Sequence, residues 1–251
     1  MIFYLAFPWA VLSAWASGGG GPQTPVDCRA QLTQAYRTLA TAAEPKQTRV
    51  LHLHFNTETT AQLPGQTNER RMKSQGDIYV RGRQLYYETP EIKMWQDGRI
   101  ISMVLKKQRA IMLTLVPSGA ANVSVQPMVL LQDSLLRRAT VQLCRQEADK
   151  EKSQHIRLAM SKEVTAQFGL QTLDFRLAGQ PAQVRRLDAT YMPGRMGRHI
   201  TLMFTVQEWL TSTSILTNDA VRQVLDTKGG LLPLYRSYKL IDQNHIASTK
   251  N

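Results

Sequence analysis

The residues in this sequence that could carry chemistry are few, and the closest pair is His52 and His54. One residue separates them, so on a β-strand both imidazoles point to one face, and a third ligand from a neighbouring strand would complete a zinc site. The alternative, which we favour, is the exposed face of a strand. His155, His199 and His245 have no Cys or carboxylate at ligand spacing and are interpreted as solvent-facing. We expect no metal and no other cofactor.

Motifs of covalent catalysis are missing from the chain. It has no Gly-x-Ser-x-Gly elbow, no Ser-x-x-Lys and no His-Glu-x-x-His. The run Gly18 to Gly21 is not followed by Lys-Ser or Lys-Thr, so it is interpreted as a linker rather than a phosphate loop. The sequence therefore predicts no catalytic residue, and a binding protein rather than an enzyme.

The first residues are typical of an export signal. Residues 1–16 carry no charged side chain, are largely apolar and end in Ala14-Trp15-Ala16, a small-x-small cleavage pattern. A membrane span needs about 20 apolar residues, more than this stretch offers. We expect a signal peptide cleaved near Ala16, a flexible leader over residues 17–26, and a periplasmic protein. A weak membrane anchor is the alternative.

Two cysteines, Cys28 and Cys144, remain after the signal. In an oxidising compartment an even count favours pairing, so we expect a disulfide, with two free thiols as the alternative. The residues before Cys28, Pro25-Val26-Asp27, lack the small and apolar side chains of a bacterial lipoprotein signal. We therefore expect no lipid on Cys28.

The net charge of +12 indicates an anionic partner or a solvated basic surface. Its Lys and Arg residues are scattered and are not grouped with aromatic residues, and export argues against nucleic acid. An anionic envelope surface, an acidic partner and a merely solvated basic face remain open.

Hydrophobic periodicity predicts a mostly β (α+β) fold. Leu32, Tyr36 and Leu39 have helical spacing over residues 27–43, and a period of two follows over residues 48–60. Further β-type segments continue to residue 208, so we expect nine or ten antiparallel strands in one strongly curved sheet with helices on its concave side. Residues 27–216 form the predicted domain, and a C-terminal extension, 217–251, carries a short helix over 218–228 and an edge strand over 235–241.

Apolar residues alternate along three of the predicted strands, and a helical stripe interrupts the run of strands after Pro127. The strand residues are Leu51, Leu53, Phe55, Ile78, Val80, Ile200, Leu202, Phe204 and Val206, and the helix residues are Met128, Leu131 and Leu135. If the helix packs permanently on the sheet, the strand residues are core. If it moves away, the same residues line an apolar cavity.

Three short segments resemble one known family. They are Gln75-Gly76-Asp77-Ile78-Tyr79-Val80, Leu85-Tyr86-Tyr87 and Asp97-Gly98-Arg99. A Gly-Asp-apolar-aromatic strand, an aromatic strand and an Asp-Gly-Arg hairpin at this spacing are similar to the LolA family of periplasmic lipoprotein carriers. The resemblance follows most of the mature chain in order. It implies a half-open β-barrel lidded by helices, with a cavity that shields acyl chains.

The resemblance also implies roles for particular residues. The helix of Met128, Leu131 and Leu135 takes the position of a lid, and Arg81 and Arg83 flank the position where the family carries an Arg thought to latch it. The implied partners are lipoprotein acyl chains or lipid, and inner- and outer-membrane lipoprotein-sorting proteins. A monomer is expected. An envelope adaptor or sensor without lipid cargo and a metal-dependent enzyme are the competing hypotheses.

Overall fold

The structure is a computed structural model. It describes residues 25–62, 68–116, 136, 138–147, 153–193 and 198–244. The fold is mostly β, as the sequence predicts, and consists of one curved, unclosed sheet with a few helices, consistent with the expected half-open barrel. Within the described residues no helix is long and apolar enough to span a membrane.

The strands are more numerous than the nine or ten expected, with twelve in the described part of the chain. They are β1 (Val50–Gln62), β2 (Glu69–Arg81), β3 (Gln84–Glu88), β4 (Ile92–Gln96), β5 (Ile100–Leu105), β6 (Ala110–Leu115), β7 (Thr140–Gln146), β8 (Gln154–Ala159), β9 (Leu170–Ala178), β10 (Gln183–Tyr191), β11 (His199–Leu210) and β12 (Lys239–Asp242). The helices are α1 (Pro25–Ala42) and α2 (Lys162–Phe168), and 3₁₀ turns occupy Val221–Gln223 and Pro233–Tyr235.

The strand order is β12-β6-β5-β4-β3-β2-β1-β11-β10-β9-β8-β7. All neighbours are antiparallel except β12, which runs parallel to β6. The predicted C-terminal edge strand is thus confirmed, at residues 239–242. The predicted helix over 218–228 is wrong, since only a 3₁₀ turn forms there, and α2 was not predicted.

Helix α1 covers part of one face of the sheet, here called the helix face, and is fixed at both ends. At its start Cys28 is bonded to Cys144 of β7, which confirms the predicted disulfide, with Cα atoms 6.2 Å apart. At its end the backbone N–H of Gly82 donates to the Ala42 carbonyl oxygen at 2.8 Å. Gly82 has a φ of +57°, which permits the tight β2–β3 turn that makes this contact.

The opposite face of the sheet carries a second core. There the C-terminal segment packs Leu216, Val224 and Tyr235 in one cluster with Tyr86 and Trp95 of β3 and β4. Asp97 anchors this segment, because its Oδ2 accepts a hydrogen bond from the backbone N–H of Ala220 at 2.9 Å. The sheet is therefore covered by α1 on one face and by the C-terminal segment on the other.

Candidate functional site

The helix face has two parts that differ in packing. In the part next to α1, the residues predicted to line a cavity are 0 to 4% exposed and share one core with Leu32 and Tyr36 of the helix. They are Leu51, Leu53, Ile78, Val80 and Phe204. In this structure they are filled core, so the prediction that they line a cavity is corrected. We call this region the sealed part.

Beyond Phe55 the helix face opens into a cavity of about 280 Å³, which we call the open part. Of the predicted cavity residues, Phe55, Ile200 and Leu202 line it. Its other lining residues are Thr57, Thr59, Met72, Lys73, Ser74, Tyr87, Thr89, Glu91 and Ile92. They come from β1, β2, β3, β4 and β11 and the β3–β4 turn, so the cavity lies in the hollow of the curved sheet.

Phe55 forms the boundary between the two parts. Its ring stacks on that of Tyr87, with centroids 6.0 Å apart and planes 13° apart. It also lies over Gly76, where a Cβ atom would come within 2.8 Å of Phe55 Cζ and 2.3 Å of the Glu88 carbonyl oxygen. The glycine of the Gly-Asp segment is therefore needed for close packing of β1 against β2 and β3.

Four hydroxyl-bearing residues belong to the cavity lining, namely Thr57, Thr59, Ser74 and Thr89. The Thr57 Oγ1 donates to the Ser74 carbonyl oxygen at 3.3 Å, and the Thr89 Oγ1 accepts from the backbone N–H of Ile92 at 3.1 Å. Burial raises the pKa of Tyr87 above its ordinary value, against a smaller opposing effect of its hydrogen bond with Thr89. The cavity thus combines apolar side chains with hydroxyls and with the charged residues Lys73 and Glu91, which suits an alkyl chain that ends in a polar group.

The hydroxyl-bearing residues that line the cavity were not predicted, although the sequence contains a signal for them. Thr57 and Thr59 continue the period of two of Leu51, Leu53 and Phe55, and so face the same side of β1. A strand face that changes from apolar to hydroxyl side chains at mid-strand indicates where a sealed core ends.

Val206 does not share the cavity face. The pairing of β1 with β11 shifts between His54 and Phe55, so that Val206 lies opposite His54 while Phe204 lies opposite Phe55. The extra residue, Thr205, reverses the alternation of β11 beyond that point. The prediction of Val206 as a cavity residue is therefore wrong.

The predicted latch arginines also lie away from the cavity. Arg81 alternates with Val80 and points to the opposite face, where its Nε and Nη2 donate to Gln84 Oε1 at 3.0 and 2.7 Å. Arg83 is exposed in the β2–β3 turn, at the far end of β2 from the cavity. A latch at Arg81 does not fit this geometry. Met128, Leu131 and Leu135 lie outside the described residues, and their role as a lid stays a prediction.

His52 and His54 belong to a polar network on the opposite face. Asp77 Oδ1 lies 2.9 Å from His52 Nε2 and 2.9 Å from His54 Nδ1, and His52 Nδ1 lies 2.9 Å from Glu208 Oε1. Burial opposes the ionisation of Asp77, but the hydrogen bonds to both histidines outweigh it and hold its pKa below the ordinary value. The prediction that His52 lies on an exposed strand face is therefore wrong, because its side chain is mostly buried and stacks on Tyr79.

His155 is buried, so its interpretation as solvent-facing is wrong: its Nε2 lies 2.7 Å from Asp174 Oδ1. His199 is partly exposed beside Asp188, and His245 lies outside the described residues. In the part of the chain that is described, no three His, Cys, Asp or Glu side chains are placed to hold a metal ion.

No protein-family model and no curated protein matches the sequence. Solved structures with a similar fold include an uncharacterized conserved protein of Thermus thermophilus, with a TM-score of 0.43 and 6% identity over 86% of this chain and 99% of that one. They also include a LolA superfamily protein of Nitrosomonas europaea, with a TM-score of 0.30 and 11% identity over 72% of this chain and 92% of that one.

A further similar structure is a putative outer membrane lipoprotein-sorting protein domain of Vibrio parahaemolyticus, with a TM-score of 0.34 and 9% identity over 76% of this chain and 96% of that one. The family that residues 75–99 resemble is thus among the similar folds.

Proposed function

We propose that this protein is an exported, non-enzymatic carrier that binds an alkyl chain of a lipid or lipoprotein in the open part of its helix face. The observation that carries the proposal is the cavity of about 280 Å³ in the hollow of the sheet, with Phe55, Ile200 and Leu202 in its lining. Transfer of each methylene from water onto such a surface stabilises a complex by about 0.8 kcal/mol.

The size of the cavity limits its ligand. Small-molecule pockets occupy about 300–1,000 Å³, so the volume of this cavity lies just below that range. It suits a single alkyl chain or part of one rather than several chains together. The hydroxyls of Thr57 and Ser74 are placed to meet the polar end of such a chain.

The route of entry follows from how α1 is held. The Cys28–Cys144 disulfide and the hydrogen bond from Gly82 to Ala42 fix both ends of the helix. A ligand therefore enters beyond Phe55 without displacement of α1. The disulfide also supports export, because such bonds persist in oxidising compartments. Periplasmic location and lipoprotein-sorting proteins as partners belong to the same proposal.

A fluorescent fatty acid and one pair of variants test the proposal. Ile200→Trp fills the cavity, whereas Met203→Trp places the same ring on the opposite face of β11, where Met203 is partly exposed. We expect the first variant to weaken probe binding by about tenfold or more, since it occupies much of the space that the ligand needs, and the second to bind like the wild type.

Thermal melts of both variants establish that the fold is kept. Equal affinity of Ile200→Trp and Met203→Trp would place the ligand elsewhere. A wild-type protein that binds no alkyl probe, and that carries no acyl chain by mass spectrometry after purification, would refute the carrier function and favour the adaptor.

A further inference from the structure

Exposed apolar side chains are concentrated at one end of the sheet. Met72, Phe168 and Met192 are 46%, 52% and 40% exposed, and they make up half of the large apolar side chains exposed in the described residues. Singly exposed apolar residues are normal on protein surfaces, but a group of them marks an interaction site.

Strand register places these three side chains at the same end. Met72 of β2 lies opposite Thr59 of β1, and Thr59 lies opposite Ile200 of β11. The Met192 backbone N–H, directly after β10, donates to the carbonyl oxygen of Gly169, which follows Phe168. From β2 to β9 there are four strand spacings, or about 19 Å.

This end of the sheet is also the mouth of the cavity, because Met72, Thr59 and Ile200 line it. We call the group of Met72, Phe168 and Met192, together with the cations described next, the mouth rim.

Exposed cations accompany the apolar side chains. Arg70, Arg71 and Lys73 are exposed along the first half of β2, and the partly exposed Arg198 directly precedes β11. Two carboxylates face these four cations. Glu58 lies 3.9 Å from Arg71 Nη1 and 3.8 Å from Lys73 Nζ, and Glu69 lies 3.1 Å from Arg198 Nη1. Four cations and two carboxylates therefore leave a net positive charge on the part of the mouth rim that β2 and the start of β11 form.

We propose that the mouth rim docks the protein onto an anionic phospholipid surface. This proposal rests on the proposed function, because docking in this way would turn the cavity toward the membrane. Apolar side chains accompanied by Lys and Arg over about 19 Å fit a membrane surface. The apolar side chains would enter the boundary between headgroups and acyl chains, and the cations would contact the phosphates.

Vesicle flotation of the mature protein tests the docking. We expect binding to phosphatidylcholine vesicles that contain phosphatidylglycerol, and weaker binding to phosphatidylcholine alone or at high salt. Two double variants remove the rim without touching residues that line the cavity. They are Phe168→Ser with Met192→Ser and Arg70→Gln with Arg71→Gln, and each should lower the vesicle affinity by about tenfold.

The controls remove side chains of the same kinds elsewhere, one apolar side chain in the first and two cations in the second. Leu234→Ser removes the most exposed large apolar side chain, at 78%, from the C-terminal segment. Arg99→Gln with Lys228→Gln removes two exposed cations away from the rim. Both controls should bind vesicles like the wild type.

Equal losses in rim and control variants would overturn the proposal, because general charge or hydrophobicity would then explain the binding. Binding to soluble polyglutamate but not to vesicles would overturn it in favour of an acidic macromolecule. The fluorescent fatty acid, measured without vesicles, keeps the two proposals apart. A wild type that floats with vesicles but binds no fatty acid supports docking and refutes the carrier function.

Discussion

The two parts of the helix face use the same strand and the same alternation, yet one is solid core and the other is a cavity. On β1, Leu51 and Leu53 face α1 and are buried, while Thr57 and Thr59 continue that face beyond Phe55 and line the cavity. The backbone pattern is thus shared, and the difference lies in the side chains and in what covers them. A candidate binding surface is therefore recognised where an inward-facing row of residues stops being apolar.

The largest expected effect comes from release of α1 at its disulfide. We expect Cys28→Ser with Cys144→Ser to lower the free energy of unfolding by about 2–5 kcal/mol, because the bond closes a long loop in the unfolded chain. The sequence separation of the two cysteines is 116 residues. Urea denaturation measures the change. Wild-type protein kept in reductant should match the variant, and free thiols in the exported wild type would contradict the structure.

The next effect separates the two parts of the face directly. Leu53→Ala should lower the free energy of unfolding by about 2–5 kcal/mol, because it leaves a void in the sealed part. Ile200→Ala, at a half-buried position of the cavity, should cost about 1–2 kcal/mol. The affinity for the alkyl probe should fall more in Ile200→Ala than in Leu53→Ala, which is the reverse of the order expected for stability. Parallel effects of both variants on stability and binding would mean that the face is a single region.

Gly76→Ala tests the boundary between the two parts. The added Cβ would meet the Glu88 carbonyl oxygen at 2.3 Å, and backbone cannot yield as a flexible side chain does. We expect destabilisation by about 1–3 kcal/mol. Gly230→Ala is the control, because the atoms nearest to its Cβ would be those of the Asp226 carboxylate, the first at 3.1 Å. A thermal melt of each suffices, and an unshifted Gly76→Ala melt would show that Phe55 and β3 are less tightly packed than described.

Much of the fold follows from local sequence patterns. The period of two and the Asp97-Gly98 turn predicted the strands up to β11, because both are short-range signals. Helix α2 was missed because it spans seven residues with one buried side chain, Val164, too few to show a helical period. The packing of the C-terminal segment was missed because Val221, Val224 and Leu225 have a helical spacing, whereas only a 3₁₀ turn forms there and their packing partners lie on distant strands.

The site was less predictable than the fold. Whether Leu51 or Ile78 lines a cavity depends on where α1 ends, which is a tertiary property. The extra residue in β11 that turns Val206 to the opposite face has no local signal, because Thr205 is an ordinary strand residue. The buried His155 depends on a carboxylate from a neighbouring strand, Asp174, which sequence spacing does not reveal.

The smallest expected effect comes from replacing a hydroxyl of the open part by an apolar group like those of the sealed part. Thr59→Val replaces a hydroxyl of the cavity lining by a methyl group of similar size. Thr59 is chosen over Thr57 because the Thr57 hydroxyl donates to the Ser74 carbonyl oxygen. An added apolar contact the size of one methylene is worth about 0.8 kcal/mol, so alkyl-probe affinity should rise by about two- to fourfold.

Thr60→Val is the matched control for this change. Thr60 lies opposite Arg71 and His199 and faces away from the cavity, so its replacement should leave probe affinity unchanged. Isothermal titration of the wild type and both variants resolves a difference of this size. A lower affinity in Thr59→Val would mean that the hydroxyl binds the polar end of the ligand, and the open part would then be a polar site that the apolar floor only supports.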